Sequence, residues 1–246
     1  MANETEQEAV AAEEQFIDCQ CPHCGHTLSF PGNSVGRVEE CFNCMEPLIV
    51  PADGSTAGRR LPLPLETPTL ILRRLAPDDL LDLAEVDTDP ESSEEIEGGP
   101  HEENVSRWIR EDAKAKFTQP NQPLWLGLVR RDTKKLVGYL SLTFIDAERR
   151  QAALSHVAVN PRFRRKGHAT EAMRAALVFC FAGIGLHRVV ASCGSHEAAA
   201  RGLIEKAGFR LEGEWFEDRQ EHGKWVDTLL FAMLEREYAA ANNSAA

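Results

Sequence analysis

Arg164-Arg165-Lys166-Gly167-His168-Ala169-Thr170 is a stretch that can hold a ligand with its backbone, though taken alone it also reads as a plain solvated turn. It follows an apolar run, Leu154-Ser155-His156-Val157-Ala158-Val159, that stops at Asn160-Pro161, and it opens a segment of helical period. A basic, glycine-containing loop between a strand and a helix start can bind phosphate. The unpaired N–H groups of the first turn point at the anion, and the helix dipole adds partial positive charge. Gly167 has no Cβ to keep an anion off the main chain. Arg162, Arg164, Arg165 and Lys166 gather four cations on a chain of formal net charge -12. A local basic cluster on an acidic protein suggests a small anionic ligand more than a nucleic-acid track.

A second constellation is made of sulfur. Cys21-Pro22-His23-Cys24 and Cys41-Phe42-Asn43-Cys44 are two C-x-x-C pairs, and five of the seven cysteines lie between Cys19 and Cys44. Each pair can sit on a tight turn with both sulfurs facing one ion, and four thiolates suit tetrahedral zinc at ~2.3 Å. In a cytosolic chain such clustering suggests metal rather than disulfides. Cys19 is surplus; it could replace Cys21, but Cys21 keeps the x-x spacing. His23 and His26 are further substitutes, expected to be exposed. A four-thiolate site leaves no open position, so the expected role of the metal is structural. Arg37 is the one cation between Cys19 and Val50, so attraction to nucleic acid is weak and a protein partner is the better expectation.

These groups need elements to position them. Thr69 to Arg74, Trp125 to Val129, Leu136 to Ile145, Leu154 to Val159, Arg188 to Cys193 and Leu229 to Leu234 read as strands. Asp79 to Glu85, Asn104 to Lys114 and Glu197 to Ala207 read as helices, the last closed by Gly208. After the loop, Ala169, Ala172, Met173, Ala176, Leu177 and Cys180 fall on one helical face. Asp87 to Glu103 reads as an acidic loop. Strands alternating with helices give an α/β fold on a mixed sheet.

The 246 residues, 43% hydrophobic and 27% charged, suit one main domain plus a smaller part. The expected divisions are an acidic disordered tail over 1–18, a zinc ribbon over 19–50, a linker over 51–68, the main domain over 69–236 and a tail over 237–246. Residues 1–18 carry acids and no Lys or Arg, unlike a secretory or transit peptide. No apolar run approaches the ~18–20 residues of a membrane helix. A cytoplasmic location with no membrane partner is the expectation.

Taken in order, the motifs resemble those of the GNAT superfamily of N-acetyltransferases. Arg164-x-x-Gly167-x-Ala169 is similar to the family's acyl-CoA pyrophosphate loop. Gly185-Leu186-His187-Arg188-Val189-Val190 resembles the fifth strand and its approach, and Leu203-Ile204-Glu205-Lys206-Ala207-Gly208-Phe209 the later helix. Leu65-Glu66-Thr67, Leu70 to Arg74, and Gly223-Lys224-Trp225-Val226-Asp227 resemble the ribosomal-protein N-acetyltransferase subgroup. The N-terminal part resembles short bacterial zinc ribbons, C-P-x-C-G…C-x-x-C, followed by Pro47-Leu48-Ile49-Val50-Pro51.

The resemblance implies a GNAT fold in which the fourth and fifth strands splay and CoA enters the gap. It implies acetyl-CoA as cosubstrate and a primary amine as acceptor, a protein N-terminus or a small amine. Backbone near Val157 and Val159 would line the thioester arm. Arg164, Arg165, Lys166, Gly167, His168, Ala169 and Thr170 would cradle the pyrophosphate. Positions where many relatives carry Asn, Ser or Tyr are here Glu197, Ala200 and Ile204, so the family's tyrosine acid is missing there. His156 and Glu197 are the candidate substitutes as base. The departures also keep open an alternative: a non-catalytic acyl-CoA-binding regulator whose ribbon docks on a protein.

Overall fold

The computed structural model describes residues 16–51, 58–60, 62–86, 123–146 and 149–243. The acidic loop expected over 87–103 and the helix expected over 104–114 lie outside them. The chain divides into two units, residues 1–61 and 62–246.

In the first unit, β1 (Phe16–Gln20) pairs antiparallel with β2 (Thr27–Pro31). β3 (Val38–Glu40), β4 (Pro47–Ile49) and β5 (Arg59–Arg60) form a second antiparallel sheet. Cys19, Leu28, Leu48 and Val50 are buried together with Cys21 and Cys41. So small a core supplies little folding energy of its own.

The second unit is built on eight strands: β6 (Leu65–Glu66), β7 (Leu70–Arg74), β8 (Pro123–Arg130), β9 (Leu136–Asp146), β10 (Gln151–Val159), β11 (Arg188–Gly194), β12 (Arg210–Glu221) and β13 (Lys224–Leu234). Their order across the sheet is β12-β13-β11-β10-β9-β8-β7-β6. Neighbours are antiparallel except β10 and β11, which run parallel and pair only over Gln151–Ala153 with Arg188–Val190. Beyond Ala153 they part, and a gap opens in the middle of the sheet.

Strand alternation distributes the core between two faces. On one, Trp125, Val129, Leu136 and Tyr139 pack with Leu83 and Val86 of α1 (Leu80–Val86). The turn into α1 is fixed by Asp79, 5% exposed, which accepts from Arg73 at 2.7 and 2.8 Å and from the Ala76 N–H at 2.7 Å. The alternate leucines of β7 to β9, including Leu70, Leu72, Leu126 and Leu140, are buried towards the other face. There α2 (His168–Val178) meets β7 and β10 through its stripe Ala172, Met173, Ala176 and Leu177. α3 (Ala198–Ala207) ends at Gly208 as expected, and α4 (Glu235–Asn243) follows β13.

Three boundaries differ from the sequence reading. β1 begins at Phe16, inside the expected tail, because its residues pair with β2. The expected linker contributes β5 and β6 to the two sheets. The expected C-terminal tail holds most of α4, and its Tyr238 stacks on Phe181 with centroids 4.9 Å apart. β12 was absent from the expected strands: it is an edge strand with mostly exposed, charged side chains, so it carries no apolar alternation.

Candidate active site and metal centre

At the end of β10 the chain turns a locked corner. Asn160, 2% exposed, caps it by accepting the Arg162 N–H at 3.0 Å, and the Phe163 N–H bonds the Asn160 carbonyl at 2.8 Å. Arg164 folds back and donates from Nε to the Val159 carbonyl at 2.8 Å. Phe163 holds two cations over its ring, Lys166 at 5.2 Å and the guanidinium of Arg130 at 5.4 Å. Arg130 and Asn160 are contributors that sequence reasoning missed, since neither lies within the basic run itself.

The loop then bends outward. Arg165 and Gly167 have φ of +62° and +87°, and nothing lies within 4 Å of the place where a Cβ would stand on Gly167. Gly167 precedes α2, whose first intrahelical bond runs from the Glu171 N–H to the Gly167 carbonyl at 2.9 Å. The N–H groups of His168, Ala169 and Thr170 therefore stand at the open end of the helix without an intrahelical acceptor. An anion fits this place: bare backbone, dipole end and flanking cations.

The first turn of α2 is clamped from the side. Glu171 accepts from the Thr69 N–H at 2.8 Å and from its hydroxyl at 2.6 Å. Burial pushes the Glu171 carboxyl up, but hydrogen bonds from Thr67 and Thr69 outweigh it and hold the group below the usual glutamate value. His168 turns its side chain inward, where it is buried, with Nδ1 3.4 Å from the Thr69 hydroxyl. Loss of hydration lowers its pKa. A groove of about 830 Å³ starts at Gly167 and runs between α2 and the segment 64–68.

On the splayed part of β10 the ladder with β9 is interrupted between Ser155 and Ala158 by a bulge. His156 sits in it at φ +47°. Gly138 of β9 makes the bulge possible, since a Cβ there would collide with the Ala158 carbonyl. The bulge turns His156 towards the face that carries α1. Its ring lies 5.4 Å from that of Trp125, and Nδ1 is 3.0 Å from the Ser141 hydroxyl. His156 is exposed, yet its neighbours strip enough hydration to hold its pKa below the ordinary histidine value. Val159 is buried and Val157 half-buried on the same strand.

Glu197 is differently placed. It precedes α3 and accepts the Gly194 N–H, while Arg219 approaches its carboxylate at 3.6 Å. Arg219 also bonds Glu221 at 2.6 Å and the Thr228 hydroxyl at 2.7 Å. Cys193 nearby is buried, and loss of hydration first, then the charge of Glu197, pushes its thiol up to about 11. That thiol stays protonated and is unsuited to nucleophilic attack.

In the first unit, the sulfurs of Cys21, Cys24, Cys41 and Cys44 all lie within 4.8 Å of one another. Cys21 and Cys44 are 3.7 Å apart, and Cys24 and Cys41 3.6 Å. Four sulfurs held tetrahedrally at ~2.3 Å from one ion would be separated by ~3.8 Å, so the residues fit a metal of that size. The two turns repeat each other: Gly25 N–H bonds the Cys21 carbonyl at 2.9 Å, and Met45 N–H bonds that of Cys41 at 2.7 Å. The Asn43 amide beside Cys24 lowers its thiol to about 6. The Glu46 backbone bond lowers Cys44, but burial and the neighbouring sulfurs raise it to about 12. Cys19 stands outside the group, in the apolar core. His23 bonds the Pro47 carbonyl at 3.2 Å and His26 meets Phe42 edge-on at 5.1 Å, so neither joins the sulfurs.

A model of the acetyltransferase (GNAT) domain matches residues 69–210, more than half of the chain. The uncharacterized N-acetyltransferase YnaD of Bacillus subtilis is 33% identical over 79 residues, which span 32% of this chain and 46% of YnaD. Among solved structures, a GNAT-family acetyltransferase from Bacillus anthracis is similar with a TM-score of 0.61 and 24% identity, over 70% of this chain and 98% of that one. Spermidine/spermine N-acetyltransferase SpeG from Vibrio cholerae is similar with a TM-score of 0.58 and 21% identity, over 70% and 96%. Parted central strands, an open N–H-lined corner after the first of them, and a family match over the same residues agree: the chain belongs to the GNAT acetyltransferase family.

Proposed function

We propose that this chain moves an acetyl group from acetyl-CoA to a primary amine. The observation that carries the reading is the corner at Gly167, an open anion cradle beside the gap between β10 and β11. Residues Arg165 to Thr170 supply main-chain donors for a pyrophosphate, with Lys166 and Arg130 adding charge. The groove that starts at Gly167 gives room for more of a nucleotide. When bound, acetyl-CoA supplies an activated thioester.

The chain's own contribution is to hold that thioester and to deprotonate the amine. Cofactor loop and α2 lie on one face of the sheet, while His156 points to the other, so the amine is met from the α1 side. Loss of hydration favours the neutral form of His156, the form that can take a proton from an ammonium. Glu197 is already engaged by Gly194 and Arg219, so His156 is the favoured base and Glu197 organises the end of β11. Having lost one proton to the imidazole, the neutral amine nitrogen bonds the acyl carbon as the C–S bond breaks; CoA leaves as its thiolate and takes up the second proton from the new amide nitrogen. The four cysteines would hold structural zinc, and a protein partner for that unit accords with its excess of acids over the three arginines Arg37, Arg59 and Arg60.

The test is release of CoA thiol from acetyl-CoA with a panel of amines. Spermidine comes first, since the solved relative from Vibrio cholerae carries that name, followed by peptides with free N-termini. Amine-dependent thiol release is expected. Binding of acetyl-CoA without turnover on any amine would overturn the reading in favour of a CoA-binding regulator.

A further inference from the structure

We infer that Ser141 is a positioning residue that fixes the His156 imidazole with its proton on Nδ1, leaving Nε2 free to accept a proton. The inference deepens the proposed function and rests on His156 being the base. Ser141 is 0% exposed, in the middle of β9, directly opposite Ser155 of β10. A buried hydroxyl there needs partners. Among the described residues it has two: the Ser155 carbonyl at 3.3 Å and His156 Nδ1 at 3.0 Å.

A hydroxyl carries one proton and a carbonyl can only accept. If Ser141 donates to Ser155, it must accept at Nδ1, so the ring is protonated there. The opposite arrangement, Ser141 donating to Nδ1, withdraws the hydroxyl's proton from the Ser155 carbonyl at the point where the bulge interrupts the ladder. The relay Nδ1–H to Ser141 to Ser155 gives each group a partner. It also presents a lone pair at Nε2, the nitrogen not engaged by Ser141.

The rest of the surroundings reinforce this orientation without charge. Trp125 of β8 packs on the imidazole, and Tyr139 of β9 supports Trp125 edge-on at 5.7 Å. Neither carries charge at neutral pH, and among the described residues the lowered pKa of His156 arises from loss of hydration alone. The tautomer is thus set by the hydrogen bond, as in sites where the partner of one ring nitrogen decides the role of the other.

The experiment is nitrogen-15 NMR of the full chain labelled at histidine, with the His156 signals assigned by comparison with His156→Gln. The native chain is expected to show a neutral ring protonated at Nδ1 at pH 7. Ser141→Ala is expected to shift it towards the Nε2-protonated form and to lower kcat with acetyl-CoA and spermidine about tenfold. Ser141→Cys, similar in volume and a weak acceptor, replaces it if the alanine variant does not fold. An Nε2-protonated ring in the native chain, or an unchanged tautomer in a folded Ser141 variant, would overturn the inference. Full turnover in His156→Gln would instead remove the base itself while leaving the tautomer measurement intact, so the two failures are told apart.

Discussion

The cysteine cluster and the corner after β10 are each suited to hold a charge, but with different materials. The cluster presents four side-chain sulfurs, and the spacing of their side chains is the site. The corner presents main-chain N–H groups, and its side chains mostly hold the backbone in shape: Asn160 caps, Arg164 ties back to Val159, Phe163 carries two cations. Side-chain sites are lost when one ligand changes. Backbone sites survive many substitutions and fail only where a new side chain enters the ligand's space or the fold-back breaks.

The largest effect that tests this contrast is at sulfur. Cys41→Ser is expected to remove zinc from the chain and to unfold residues 16–51, since metal binding in such sites is worth on the order of 10 kcal/mol. Metal analysis and hydrogen exchange would show it. CoA binding by the second unit should be unchanged, and its loss would break the independence of the two sites. Next in size is His156→Gln, expected to lower kcat by about 10²–10⁴ with acetyl-CoA affinity preserved. Gly167→Glu should weaken CoA about 100-fold, the equivalent of two charge-assisted hydrogen bonds lost, as read by calorimetry. By contrast, Arg165→Ala at the same loop should cost several-fold at most, because its contribution is main-chain. An equal loss at both positions would place the binding in side chains after all.

The smallest effect is a pH dependence. His156 and His168 both have folded pKa values below the ordinary one. The unfolded chain therefore takes up protons first as pH falls below ~6.5. Stability is full above that value and declines as pH drops through the window between the ordinary and the lowered pKa. Thermal melts of His156→Gln against pH should show a shallower decline.

The same contrast explains what could be read in the sequence. Cys21, Cys24, Cys41 and Cys44 were legible because ligand chemistry and spacing coincide, and the glycine and cations of the loop marked the helix start. The bulge at His156 was not, because it depends on Gly138, eighteen residues earlier, whose missing Cβ clears the Ala158 carbonyl. Arg130 and Ser141 reach the site through sheet register, and no local pattern announces them. β12 and α4 escaped for another reason: their side chains face mostly outward, so apolar periodicity is absent where pairing and docking remain.

The fold-back of Arg164 has a thermodynamic corollary. With Asn160, Phe163 and Arg164 already bonded into one corner, a pyrophosphate bound there as proposed would meet donors that need not be ordered on arrival. Capture should then lose little loop entropy and proceed without a slow rearrangement, so that association is set by encounter and residence time by the number of main-chain donors engaged.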